Sequence, residues 1–143
     1  MYCFNNGVVV SGVCSCPKGV SGNNCEIAYR KLYANTYTGN TPGNAGHGAS
    51  GNTLTFAETN DTVDYNNMTV TWKDTGSFAL TFPIVLANNS SSGSSFTVTP
   101  SVFGSKTYTG GGTLTSTMAS MSLTQTDTSG AVVLYTFNSF YKQ

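Results

Sequence analysis

Charge is the scarcest commodity in this sequence. Among 143 residues six are basic and six acidic, and the formal net charge is zero. An ordinary soluble domain carries about three times that charged fraction. A set so sparse and balanced leaves no clustered basic footprint for nucleic acid. Histidine occurs once, as His47, within a glycine-rich stretch. It has no second His or unpaired Cys with which to share a metal, and nothing adjacent to orient it as a catalytic base. No Ser stands in a G-x-S-x-G elbow. These lacks point away from an enzyme and from any cofactor. No apolar run approaches the roughly 20 residues of a membrane helix. Cysteine is absent after Cys25, and a chain of this length buries a core without covalent staples. An N-terminal appendage that needs staples and a body that does not is the expected organisation.

What the sequence does hold is Thr, Ser, Asn and Gly, with eight Tyr and eight Phe. The aromatic and β-branched content argues against disorder. The polar surface must be built from hydroxyls and amides, which set up little repulsion between copies of the chain.

All four cysteines fall in CFNNGVVVSGVCSCPKGVSGNNCE, from Cys3 to Glu26. Asn5-Asn6-Gly7 reads as a turn, and Val8-Val9-Val10 extends into a strand. Cys14-Ser15-Cys16 puts two thiols on opposite faces of an extended chain, so they do not readily join each other. Four cysteines allow three connectivities. A zinc site is poorly matched, since there are no C-x-x-C knuckles and no nearby His.

The run CSCPKGVSGNNCE resembles the second half of an EGF-like module, meeting its C-x-C-x-x-G-x-x-G-x-x-C spacing at Cys14, Cys16, Gly19, Gly22 and Cys25. In that register Cys3 takes the second position of a six-cysteine module and Val9 the third. The first would precede Met1, so the two missing cysteines are each other's partners. The resemblance implies the disulfides Cys3–Cys14 and Cys16–Cys25. It gives no support to calcium binding by this part, whose sole acid is Glu26. With YRKLYANTY following, the layout also resembles predicted surface lipoproteins of Bacteroidota, where a lipidated Cys and an EGF-like stub precede a small all-β domain. That implies an extracytoplasmic protein at the cell surface or outer membrane, held by a lipid upstream. Met1-Tyr2-Cys3 reads as a start placed after an excised leader. The division expected is a partial EGF-like module over 1–27 and a β-domain over 28–143.

Tyr29, Leu32, Tyr33 and Tyr37 suit a helical turn leading into a strand. Residues 39–51, rich in Gly, form a loop. From residue 52 the apolar period is two. Leu54 and Phe56; Met68, Val70 and Trp72; Phe78, Leu80, Phe82, Ile84 and Leu86; Phe96 and Val98; Tyr108; Leu114; Met121 and Leu123; and Val133, Tyr135 and Phe137 mark successive strands. Pro83 argues for a break, a bulge or an edge. Residues 60–61, 74–76, 88–95, 110–112 and 127–130 read as turns. Eight or nine short strands at intervals of about ten residues define an all-β fold. The two candidates are a small antiparallel up-and-down, lipocalin-like barrel and a β-sandwich.

Glu58, Asp61 and Asp64, among several Asn, form a weak calcium candidate of hard oxygen ligands without EF-hand spacing. Glu58 with Asp74 would be the carboxylate pair of a glycosidase if the fold brought them together. Trp72 reads as core. Tyr29, Tyr33, Tyr37, Phe140 and Tyr141 are the candidates for a contact surface. The leading expectation is a non-enzymatic surface accessory or binding protein with a protein partner or self-association, the stub serving as a spacer. The alternatives are a subunit of an extracellular assembly and a small apolar ligand carrier. A carrier requires an open lumen; an assembly requires a filled core with an apolar or edge-strand patch outside.

Overall fold

In the computed structural model, residues 1–40 and 51–143 are described. His47 and most of the glycine-rich loop lie outside them. The N-terminal part holds two small antiparallel pairs, β1 (Val8–Val10) with β2 (Val13–Ser15) and β3 (Val20–Ser21) with β4 (Ile27–Ala28). Disulfides join Cys3 to Cys14 and Cys16 to Cys25, the pairing that the resemblance implies. With no free cysteine among the described residues, the protein belongs to an oxidising, extracytoplasmic compartment. No helix among the described residues is long and apolar enough to cross a membrane.

A single helical turn, α1 (Tyr29–Tyr33), leads into eight strands: β5 (Thr36–Gly39), β6 (Asn52–Glu58), β7 (Asn67–Lys73), β8 (Ala79–Ser90), β9 (Gly93–Phe103), β10 (Lys106–Leu114), β11 (Met118–Thr126) and β12 (Val132–Lys142). Each pairs antiparallel with the next, and β12 closes on β5. Of the two expected architectures the fold is therefore the closed up-and-down barrel. Alternation decides which way each strand faces. Leu54, Phe56, Met68, Val70, Trp72, Phe82, Ile84, Leu86, Phe96 and Leu123 point inward and are buried. Threonines take the outward positions, where Thr36 meets Thr55 at 3.1 Å and Thr71 meets Thr81 at 2.8 Å across strands. Thr combines β-propensity with a water-compatible face, which is how so few charges suffice.

The lumen is filled. Trp72 stands against Phe78, Tyr135 and Phe137 with ring centroids 4.7, 5.0 and 4.9 Å away, and its Nε1 donates to Asn52 Oδ1 at 3.1 Å. Nearby, Tyr108 and Tyr135 both donate to Gln125 Oε1 at 3.0 Å, so the buried amide oxygen is satisfied. Burial raises the pKa of both phenols and holds them as neutral donors.

Two sequence expectations change here. Gly110, Gly111 and Gly112 are not a turn; they lie inside β10, paired with Leu123, Ser122 and Met121 of β11. A Cβ at Gly112 would run into the Ser120 carbonyl and come within 2.8 Å of the Phe96 ring. Glycine is what lets the wall bend this tightly. Likewise the polar stretch 88–95 is mostly strand, with β8 running to Ser90 and β9 starting at Gly93.

Pro83 sits at a local edge. The Leu86 N–H donates to Asn66, so by alternation the Pro83 nitrogen faces β9. The main β8–β9 ladder ends at Ile84↔Val98. The next pair would need the N–H that Pro83 lacks, and the strands part. Phe82, Phe103 and Tyr108 close the splayed seam from inside, with centroids 5.3–5.8 Å apart.

Gly112→Val should lower stability by about 1–3 kcal/mol through overpacking, whereas Gly76→Ala, whose Cβ would meet only the Asp74 side chain at 3.3 Å, should stay within about 0.5 kcal/mol. Thermal denaturation followed by circular dichroism checks both; equal midpoints would mean that β10 tolerates a side chain there.

Candidate functional site

Three of the five aromatic residues expected at a contact surface are core. Tyr33, Tyr37 and Phe140 are each at most 1% exposed. The two tyrosines seal the barrel end beneath α1: Tyr33 donates to the Ser90 carbonyl at 2.7 Å and Tyr37 to the Thr115 carbonyl at 2.6 Å. They tie the β8–β9 and β10–β11 turns to the segment that crosses below them. Burial raises both pKa values, partly countered at Tyr37 by Asn35. Phe140 turns inward because the β11–β12 register shifts there and Ser139 takes a φ of 54°. Its ring packs on Gly39, where a Cβ would meet Cδ1 at 2.6 Å. Tyr29 is half-buried and accepts from Ser21 Oγ at 3.0 Å, while Tyr141 is exposed.

The acidic trio does not converge on a cation. Glu58 Oε1 lies 3.3 Å from Arg30 Nε. Asp61 Oδ1 accepts the Val63 and Asp64 N–H groups at 2.9 Å, and its Oδ2 accepts from Asn67 at 2.8 Å. Asp64 Oδ1 accepts the Asn66 N–H at 2.9 Å. These carboxylates organise the β6–β7 turn. Among the described residues no group of three or more His, Cys, Asp or Glu is placed to hold a metal. Glu58 and Asp74 stand at opposite ends of the barrel: the register sets Asp74 beyond Lys73↔Thr53, about 20 Å along the strands from Glu58. They are not a catalytic pair.

The same turn fastens the stub. Arg30 is 6% exposed. Its guanidinium lies over the Tyr65 ring with 3.9 Å to the centroid and donates to the Asp61 carbonyl at 2.6 Å. The Glu58 contact is an ion pair without hydrogen-bond alignment at Nε. Beside it the Tyr65 N–H donates to the Lys18 carbonyl at 2.8 Å, and Asn6 Nδ2 to the Tyr65 hydroxyl at 2.6 Å. Gly19 fits close against Tyr65 and Asn66, where a Cβ would come within 2.8 Å of the main chain. The stub is thus held against the barrel.

What the stub presents is apolar. Tyr2, Phe4, Val8, Val9, Val10 and Val13 are all exposed, Tyr2 by 69% and Val13 by 64%. Ser11 and Gly12, with φ of 50° and 81°, make the primed turn that brings β1 against β2. Val10 and Val13 are direct partners, so with Val8 they share one face; Val9 shares the other with Cys14. Tyr2 and Phe4 stack edge to face at 4.7 Å. Their exposed surface totals on the order of 600 Å², spread over both faces of the hairpin. Sequence reasoning placed the strand but missed the patch, because three consecutive valines normally signal burial. The available cue was the absence of any charge from Met1 to Pro17.

Shallow clefts also lie among the described residues. One, of about 340 Å³, lies between Ser90, Ser92, Ser94 and Thr113. Another, of about 240 Å³, has Gly111 and Gly112 as its floor and Ser120, Ser122 and Asn138 at its sides. Neither holds an acid, a base or an aromatic platform.

Arg30→Ala should release the stub before the barrel melts. Its charged hydrogen bond and cation–π contact together represent on the order of 2 kcal/mol. Hydrogen exchange should quicken at the Tyr65 amide and leave the Val70 amide protected; unchanged Tyr65 protection would show that Arg30 is not the fastening. The hydrogen bonds from Asp64, Asn67 and Val63 lower the Asp61 pKa, and Ser129 with nearby main-chain donors lowers that of Asp127. A lowered folded pKa contributes stability above the unfolded value that is lost as pH falls through the folded one. The melting midpoint should therefore hold from neutrality to about pH 4 and fall below it; a flat profile to pH 2 would contradict this.

In comparisons with known proteins the chain matches no protein-family model, no curated protein and no solved structure.

Proposed function

We propose that this is a non-enzymatic accessory or binding protein of the cell surface, anchored through a lipid upstream of Met1. The β1–β2 hairpin is its contact element, and the barrel is the platform that holds it. The observation that carries this reading is the uncharged apolar hairpin on a fixed mount. An exposed patch of that size on a covalently stapled hairpin has no folding role in the chain that bears it. A filled lumen favours this over an apolar ligand carrier, which needs room inside. The partner is a protein surface of matching apolar character. Tyr2 and Phe4 supply the rigid rings that such contacts favour, at low entropic cost.

A photo-crosslinking residue at Val10, in the protein displayed on cells, tests this. The expected outcome is a covalent adduct with a protein at higher yield than from the same probe at Thr107 on the barrel exterior. Equal yields from the two positions would overturn the assignment.

A further inference from the structure

Resting on that reading, we infer that the hairpin's partner is a second copy of this chain, joined edge to edge through β1 about a two-fold axis. The two-residue turn makes Val10 and Val13 the hydrogen-bonded pair that flanks it. By alternation the Val9 N–H and carbonyl point away from β2. Among the described residues, no backbone hydrogen bond beyond β2 is made by Val8, Val9 or Val10. Two antiparallel β1 strands centred on Val9 satisfy each other, Val9 N–H to Val9 carbonyl and the reverse. They merge two two-stranded pairs into one four-stranded sheet, an isologous contact that closes on itself. Val8, Val10 and Val13 of both copies then form one continuous apolar face.

Two observations favour a second copy. Residues 1–17 carry no charged side chain, so two hairpins meet without like charges to desolvate and without a charge pattern that would demand a different partner. The edges are also treated differently within the molecule. The splayed barrel seam carries Pro83 on β8 and Pro100 on β9, the usual protection against edge pairing. Strand β1 carries neither proline nor charge.

The test is the oligomeric state of the intact oxidised chain by sedimentation velocity and light scattering from micromolar to several hundred micromolar. The expected result is a reversible shift to twice the chain mass. Val9→Pro removes the outward N–H without touching a bond to β2, and Val8→Lys sets a charge beside Val10 of the second copy; each should move the midpoint at least tenfold higher in concentration. Peptide mapping of both disulfides and an unchanged circular dichroism spectrum confirm that the variants fold. A wild type that remains monomeric throughout, or a dimer that both variants leave intact, overturns the inference. Crosslinks from Val10 to a different protein, from a chain monomeric in solution, would sink the homotypic contact and leave the binding reading standing. Loss of crosslinking altogether would sink both.

Discussion

The buried guanidinium of Arg30 is the point on which the two halves of this molecule depend. A charge taken out of water must find compensation on several sides. It finds the Tyr65 ring face, the Asp61 carbonyl and the Glu58 carboxylate, all from the β6–β7 region. That demand fixes the conformation of the turn. Asp61 and Asp64 fold the turn back by accepting its own N–H groups. Tyr65, so placed, offers its amide and hydroxyl to the stub. An acidic cluster that looks like a cation site is thus a frame built around a cation that the chain supplies itself.

The barrel solves a different problem, that of closing a small sheet around large rings. Eight strands enclose Trp72, Phe56, Phe82, Phe137 and Phe140, all of them fully buried. Where the wall must approach its neighbour, glycine replaces side chains, at Gly110 and Gly112 and at Gly39 beneath Phe140. Where the hydrogen-bond ladder cannot continue, proline ends it and rings cover the gap from inside. The closed end is tied by two phenols, Tyr33 of α1 to the β8–β9 turn and Tyr37 of β5 to the β10–β11 turn.

Periodicity made the strands legible, since Leu54/Phe56 and Met68/Val70/Trp72 alternate against polar neighbours, whereas Val132 and Leu134 blur the same pattern around Tyr135 and Phe137. Barrel closure was legible only as a preference, because the β12–β5 pairing joins residues about a hundred positions apart. Gly110 to Gly112 read as a turn because local propensity does not report the approach of a neighbouring strand. Tyr33, Tyr37 and Phe140 read as surface because they flank the alternating region, and what lies beneath a barrel end depends on tertiary contacts. Arg30 carried no local signal at all: its partners stand 28 to 35 positions downstream.

The fixed stub also gives the molecule a direction. The β6–β7 turn and the stub lie at one end of the barrel, and the turns after β7, β9 and β11 at the other. A pull applied at the hairpin does not reach the barrel only along the main chain into β5. It enters through Lys18, Asp64 and Tyr65 and spreads into β6 and β7, which are hydrogen-bonded on both sides to β5 and β8. Strands loaded along their length must shear many hydrogen bonds together, so load entering at this turn is shared among several strands of the wall.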